Sequence, residues 1–431
     1  MLLHIEKLVY GGDGLARLPA DEHGRGKAVF LPFVLEGEKV EATLIEQKTG
    51  FARASADAIL ELSPDRVKPH CPYFRVCGGC HYQHSRYRHQ LEIKASILKE
   101  NLRRIAKLDL ENELVTHPSP EWNYRNRTRL KVRNTPTFAV GYYKFGSHEL
   151  LPVTECPISS PLINKAIAAL WQLGSSQMDG LVEIEFFSDA EEKQLLAEVY
   201  CETEPNAGGA TQFAEAMTAS LPELAGVVTF KAAPADRPPI QPQQLQSSGI
   251  GELTYKTRHG AYRVSAGSFF QVNRHLIDEL IQIVCDGEVG QTALDLYAGV
   301  GLFSTVLARS FAQVIAVEPS PTAHADLVYN SPSNVKSVRA TTDQFLRNMA
   351  GNLRPDLVVV DPPRSGLGET VVRKLPELGA SRILYVSCDP ATASRDLAGL
   401  LKAGYRIQQA HVVDLFPQTY HVESVFHLVL S

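Results

Sequence analysis

Beyond residue 260, short and nearly continuous apolar runs at 293–297, 314–317, 356–360 and 383–386, then 411–415 and 424–430, alternate with segments of helical periodicity. Strands apolar on both faces must be covered on both faces, so the pattern predicts a largely parallel sheet with flanking helices, an α/β Rossmann-like domain. Ligands of such sheets bind at the carboxyl ends of the strands. The N-terminal region reads differently. Short β-segments at 3–10, 28–34 and 39–46 are separated by Gly-Gly-Asp-Gly and Glu-Gly-Glu turns without helical period. That suits a small antiparallel β-barrel, an architecture often used to hold RNA.

Between these regions, residues 84–108 place Leu91, Ala95, Leu98, Leu102 and Ile105 three or four apart with basic residues between them, which predicts an amphipathic helix with a packing face and a basic face. Residues 120–230 mix strand-like runs (181–187, 194–201, 226–231) with helical ones (162–173, 211–221), an α+β domain. Residues 232–249, rich in Pro and Gln and aperiodic, read as an exposed connection. The expected organisation is therefore multidomain: a β-barrel over 1–62, a central α+β domain over 63–259 and the α/β domain over 260–431. The helix at 84–108 has a face free to pack on the last of these. A chain of 431 residues fits two or three domains at roughly 150 residues each.

Composition narrows the class. At 44% hydrophobic and 21% charged residues the chain is globular, and no apolar run approaches the roughly 20 residues of a membrane span. Residues 1–10 carry neither the basic start nor the apolar stretch of an export signal, so a cytoplasmic protein is expected. The net charge of −5 hides segregation: residues 66–110 hold ten Lys or Arg against three acids. Further on, Arg125, Arg127, Arg129, Lys131 and Arg133 occupy every second position, so on a strand all five share one face. The alternatives are a solvated edge strand and, favoured because no acid interrupts the row, a phosphate-contacting face.

The candidate chemistry falls at the strand ends. The run 293–297, which holds Asp295, enters Ala298-Gly299-Val300-Gly301, and Glu318 closes the next strand. This is nucleotide-cofactor spacing, with a carboxylate placed for ribose hydroxyls. The third glycine that a dinucleotide pyrophosphate needs is Ser304 here, and S-adenosylmethionine, which has no phosphate, does not need it. Asp343 is placed to meet the adenine. Asp361 opens Asp361-Pro362-Pro363-Arg364, where Arg stands in place of the aromatic residue typical of amine methylation, which points to carbon chemistry. Ser387-Cys388-Asp389-Pro390 then puts a thiol at the same rim, whereas Cys201 and Cys285 lie inside regular elements and read as packing. Carbon 5 of uracil is too poor a nucleophile to take a sulfonium methyl unaided. A thiolate adding at carbon 6 supplies the electrons, and a base must then remove the carbon 5 proton. Cys388 is the expected nucleophile and Glu423 the expected base.

Cys71, Cys77 and Cys80 form C-x5-C-x2-C, with Cys156 remote and, like Cys71, followed by proline. Four thiolates suffice for an iron-sulfur cluster or a zinc ion. Zinc usually takes two close pairs, so three clustered cysteines and one distant one favour the cluster.

Together, Gly267-Ser268-Phe269-Phe270-Gln271-Val272-Asn273, Asp361-Pro362-Pro363-Arg364, Ser387-Cys388-Asp389-Pro390 and His421-Val422-Glu423 closely resemble the RNA 5-methyluridine methyltransferase family over nearly the whole chain, and residues 1–60 resemble a TRAM domain. The resemblance implies that Gln271, Tyr297, Glu318, Asp343 and Asp361, with the Gly299 turn, hold S-adenosylmethionine, that Cys388 is the nucleophile and Glu423 the base. It also implies a 4Fe-4S cluster on the four cysteines. The branch with this spacing methylates 23S ribosomal RNA, while members acting on transfer RNA generally lack cluster and barrel. The expected partner is thus ribosomal RNA, transfer RNA the alternative, no membrane, and a monomer. One departure is Leu302, where the family often has Asn; it leaves room for an inactive iron-sulfur RNA-binding protein.

Overall fold

The computed structural model describes residues 1–19, 26–110, 114–174, 180–206, 208–233, 242–349 and 353–431. Its N-terminal sheet has six strands in the order Leu2–His4, Lys39–Gln47, Phe51–Glu61, Ala28–Pro32, Asp13–Arg17, Lys7–Leu8. Alternation does the folding: Val40 and Ala42 are buried between exposed Glu41 and Thr43, and they join Leu3, Ile5, Val29 and Leu31 in one core.

The central sheet has seven strands, ordered Leu150–Pro152, Ala139–Tyr143, Arg127–Arg133, Leu181–Ser188, Leu195–Cys201, Leu224–Lys231, Gln244–Gly249. One face, with Ile184, Phe186, Ala197 and Val199, packs beneath the helices Pro161–Leu173 and Gly209–Thr218. The other, with Phe187, Leu196, Tyr200, Val228 and Phe230, shares a core with the C-terminal unit. The expected exposed connection at 232–249 is corrected in part. Its last third is the edge strand Gln244–Gly249, paired antiparallel with Leu224–Lys231, whereas 234–241 lie outside the described residues.

The basic row also departs from expectation. Its residues do share a face, but antiparallel pairing sets Lys131 opposite Glu183, Arg129 opposite Glu185 and Arg127 opposite Phe187. Arg129 Nε donates to Glu185 at 2.7 Å, and Lys131 pairs with Glu183. Arg127 is buried 3.3 Å from Glu185 and 3.7 Å from Glu198, with its guanidinium 4.3 Å over the Phe187 ring. Three of the five, Arg127, Arg129 and Lys131, are thus neutralised by the neighbouring strands, which removes them from a phosphate-contacting face, whereas Arg133 is exposed at the strand end and Arg125 precedes the strand. The acids responsible sit on strands that follow much later in the chain, Leu181–Ser188 and Leu195–Cys201.

The C-terminal sheet has eight strands in the order Val335–Val338, Phe311–Val317, Gly290–Leu296, Leu357–Val360, Arg382–Ser387, Glu423–Leu430, Tyr405–Val413, Leu114–His117. The first five are parallel, and Glu423–Leu430 runs antiparallel to both of its neighbours. The last strand, Leu114–His117, comes from the segment expected in the central domain and pairs parallel with Tyr405–Val413. Just before it, the helix Tyr87–Asn101 continues as a wide turn over Leu102–Ala106 and ends at left-handed Lys107. Its buried face is rotated from the one expected. Gln90, Ile93, Lys94, Ile97 and Leu98 are inside, while Ile105 is exposed, because Gln90 and Lys94 have fixed polar partners. Lys94 Nζ donates to Asp414 at 2.6 Å and to the Phe416 carbonyl at 2.9 Å. No described helix is long and apolar enough to cross a membrane.

Candidate active site

Strand register brings the expected residues to one rim. Leu296 lies beside Val317 and Val360 in the parallel ladder, so Tyr297, Glu318 and Asp361 each stand one residue past a paired position. Ser387 pairs antiparallel with Ser424, so Cys388, which follows one, and Glu423, which precedes the other, emerge at the same corner. The Ser424 hydroxyl ties the corner by donating to the Ser387 carbonyl at 3.2 Å. Cys388 occupies a tight turn. Asp389 caps the helix Pro390–Lys402 by accepting from the amides of Ala391 at 3.0 Å and Thr392 at 2.8 Å. Tyr10, from the N-terminal sheet, donates to the Cys388 carbonyl at 3.4 Å and meets the Tyr420 ring edge-on.

The corner is electrostatically loaded. Burial, then the carboxyls of Glu423 and Asp361, push the half-buried Cys388 thiol up to about 12, against the guanidinium of Arg364. Glu423 is buried and held well above the usual carboxylate range by burial and by Asp361. Asp361 is raised to about 7 by burial and by Asp295, and Asp295 to about 6 by its own burial. Asp295, Asp361 and Glu423 thus form a chain of desolvated carboxyls, each raising the next, an arrangement that a nearby cation relieves. Arg364 Nη2 lies 3.4 Å from His421 Nε2, and since a guanidinium only donates, that nitrogen accepts. Burial and the nearby cations push His421 down to about 3.

At the neighbouring strand ends the chain turns through Tyr297, left-handed at φ 71°, and Gly301 at φ 95°, where a side chain would meet Leu327 at 2.9 Å. Glu318 is fixed by its own loop, accepting from the amides of Gly299 at 2.9 Å and Ser320 at 2.8 Å, with lone pairs left over. Asp343 opens the helix Thr342–Met349 and pairs with Arg347 at 2.8 Å through one oxygen, while the other is buried without a partner. The strap 263–273 is held by Asp326, which accepts from Arg263 Nε and from the Ser265 and Ser268 hydroxyls, all at 2.7 Å. The carbonyl of buried Gln271 accepts from Asn126 at 3.0 Å. Leu302 is buried in the hydrophobic core, and its carbonyl accepts from Tyr262. Sequence reading passed over Tyr10, Asp326 and the Lys94 ion pair, and it named Asp295 and His421 within motifs without giving either a role. Asp295 in an apolar strand and His421 beside Glu423 offered a signal; Tyr10, Asp326 and Lys94 did not.

Cys71, Cys77, Cys80 and Cys156 line a single cavity of about 240 Å³ together with Tyr73, Phe74 and Ile158. Burial pushes the Cys77 thiol up to about 11 and Cys80 further. Burial raises the Cys71 thiol as well, opposed by hydrogen bonds from the backbone amides of Tyr73 and Phe74 and from the Gln83 side chain. Among the described residues no three His, Cys, Asp or Glu side chains converge closely enough to hold a metal ion.

Residues 86–430 match the tRNA (uracil-5-)-methyltransferase family and residues 1–56 match the TRAM domain. The chain belongs to that family. It is an S-adenosylmethionine-dependent RNA uracil-5 methyltransferase with an N-terminal TRAM domain. Two similar proteins are the 23S rRNA (uracil(1939)-C(5))-methyltransferases RlmD of Shewanella frigidimarina and Pseudomonas fluorescens. Each is 32% identical, over 98% of this chain and 94% and 90% of their own lengths. An uncharacterized RNA methyltransferase of Aquifex aeolicus is 33% identical over 98% of this chain and 97% of its own. The methyltransferase also shares its fold with the Pyrococcus abyssi tRNA (uracil-54, C5)-methyltransferase solved with S-adenosyl-L-homocysteine. The TM-score is 0.75 and the identity 22%, with all of both chains covered.

Proposed function

We propose that this methyltransferase acts on a uridine of 23S ribosomal RNA through a covalent adduct of Cys388. The observation that carries the chemistry is the meeting of Cys388 and Glu423 at one corner of the sheet, fixed by the Ser387 and Ser424 pairing. S-adenosylmethionine supplies the methyl group as an electrophilic sulfonium. Glu318, Asp343, Gln271, Tyr297 and Asp361, with the Gly299 turn, would hold it. With Arg364, a bound cation would lower the cost of ionising Cys388, whose proton passes to water before the sulfur attacks the ring. The Cys388 sulfur bonds to uracil carbon 6, and the ring electrons move toward the carbon 4 oxygen, making carbon 5 nucleophilic. Once carbon 5 is methylated, Glu423 takes its proton, the electron pair restores the ring double bond and the sulfur leaves.

We propose further that Cys71, Cys77, Cys80 and Cys156 hold a 4Fe-4S cluster. What supports this reading is that the four thiols line one cavity and are grouped as three close in sequence and one remote, whereas zinc usually takes two close pairs. A cluster there would tie the basic segment at 66–88 to the central sheet. Ribosomal RNA is favoured by the two relatives named for it and by this four-cysteine cavity. Incubation with labelled S-adenosylmethionine and unmodified 23S ribosomal or transfer RNA tests the substrate. 5-Methyluridine should appear in the ribosomal RNA. Preferential labelling of transfer RNA would overturn that assignment, and labelling of neither would overturn the catalytic reading.

A further inference from the structure

Arg127, Arg129 and Lys131 are paired, as are Arg66 with Glu38 and Lys94 with Asp414, but other cations of the 66–110 segment have no such partner among the described residues. Some of these line an open groove of about 530 Å³ whose walls include Lys68, His70, Arg86, Arg88 and Trp122 and whose floor includes Gln418. Lys68 and Arg86 are exposed, and neither pairs with a carboxylate among the described residues, while Arg88 has only Glu92 at 3.3 Å on its own helix. Trp122 is half-buried, anchored on the small core of Cys80, Tyr124 and Ile158, and its ring lies 5.0 Å from that of His70. The groove thus offers an aromatic platform beside free cations, the combination that takes stacked bases and their phosphates.

The floor is tied to the active site. Gln418, left-handed at φ 68°, accepts at its carbonyl from the amides of His81 at 2.8 Å and Tyr82 at 2.9 Å, and its side chain donates to Glu121 at 3.2 Å. It lies on the loop that leads into Glu423, the first residue of the last strand. We infer that this groove is a subsite for single-stranded RNA flanking the target uridine: a base stacks on Trp122 beside His70, and phosphates follow Lys68, Arg86 and Arg88. The inference rests on the RNA-modifying reading of the active site and names where the strand beside the target is held.

The test uses the full chain and, as probes, a short single-stranded RNA and a duplex of the same sequence, without cofactor. The chain has two tryptophans, and the Trp171 indole already donates to the Val153 carbonyl at 2.7 Å, so the Trp171→Phe variant reports on Trp122 alone. Single-stranded RNA should quench that fluorescence. Changing Lys68 and Arg86 to Ala should reduce the salt slope of binding by about 1.4, at about 0.7 per phosphate contact on a single strand, and raise KM for RNA more than it lowers kcat. Trp122→Leu should weaken binding about tenfold, with Trp122→Phe restoring most of it. Binding without quenching, an unchanged slope, or preference for the duplex would overturn the subsite. If instead the wild type binds and quenches but transfers no methyl group to any RNA, the catalytic reading fails while the groove stands.

Discussion

The thiols of Cys388 and of Cys77 and Cys80 in the central cavity are pushed in the same direction for the same reason, loss of solvent. What differs is the company they keep. Beside Cys388 stand two carboxyls and a guanidinium, groups that exchange protons and respond to a bound cation. Beside Cys80 stand Cys156, Cys77 and Cys71, which repel it once ionised. One thiol among carboxyls at a sheet rim can add to a ring and leave again, whereas four thiols around a cavity are stable together as thiolates only with cations between them. Residue type and burial do not separate nucleophile from ligand; the neighbours do.

The sharpest way to break this contrast is to remove one cysteine of each kind. Cys388→Ala should abolish methyl transfer and leave stability within about 0.5 kcal/mol of wild type, since the side chain lies outside the hydrophobic core. Cys156→Ser should behave in the opposite way. Anaerobically purified wild type should be brown, with about four irons per chain, and the variant should lose colour, iron and thermal stability while still binding S-adenosylmethionine. Stoichiometric zinc without visible absorption would contradict the cluster.

A second contrast concerns the two basic stretches. Arg127→Ala leaves Glu198 buried without its cation and should cost about 3 kcal/mol, read by denaturant unfolding, with the salt slope of RNA binding unchanged. A flattened slope would restore the phosphate-contacting role. The smallest effect is a pH dependence. Asp361 holds its proton more tightly folded than unfolded, so the folded state binds more protons between about pH 4 and pH 7. Its contribution to stability is full below the ordinary aspartate range and falls as pH rises through that window. Asp361→Asn should remove that decline, and an unchanged stability profile between pH 4 and 8 would refute it.

The C-terminal strands and their rim were legible because continuous apolar runs announce buried strands and the Gly, Asp-Pro-Pro and Cys-Asp-Pro turns fall at their ends. The N-terminal sheet was legible from its turns. Pairing partners were not. The face of Arg127, Arg129 and Lys131 follows from period two, but Glu183, Glu185 and Glu198 opposite them come from strands whose register no local pattern encodes. Lys94 was misplaced on the basic face and Gln90 went unremarked for the same reason, since their partners Asp414 and Gln418 belong to the far end of the chain. Leu114–His117 is too short to show a period, and only its pairing with Tyr405–Val413 gives it a place.

The central claim is that Cys388 opens the reaction and Glu423 closes it. Glu423→Gln, mixed with S-adenosylmethionine and the RNA substrate, should turn over about 10²- to 10⁴-fold more slowly. It should also accumulate a protein–RNA adduct that survives denaturing electrophoresis, and the Cys388→Ala, Glu423→Gln double variant should form none. Normal turnover by Glu423→Gln, or an adduct that persists without Cys388, would contradict the account.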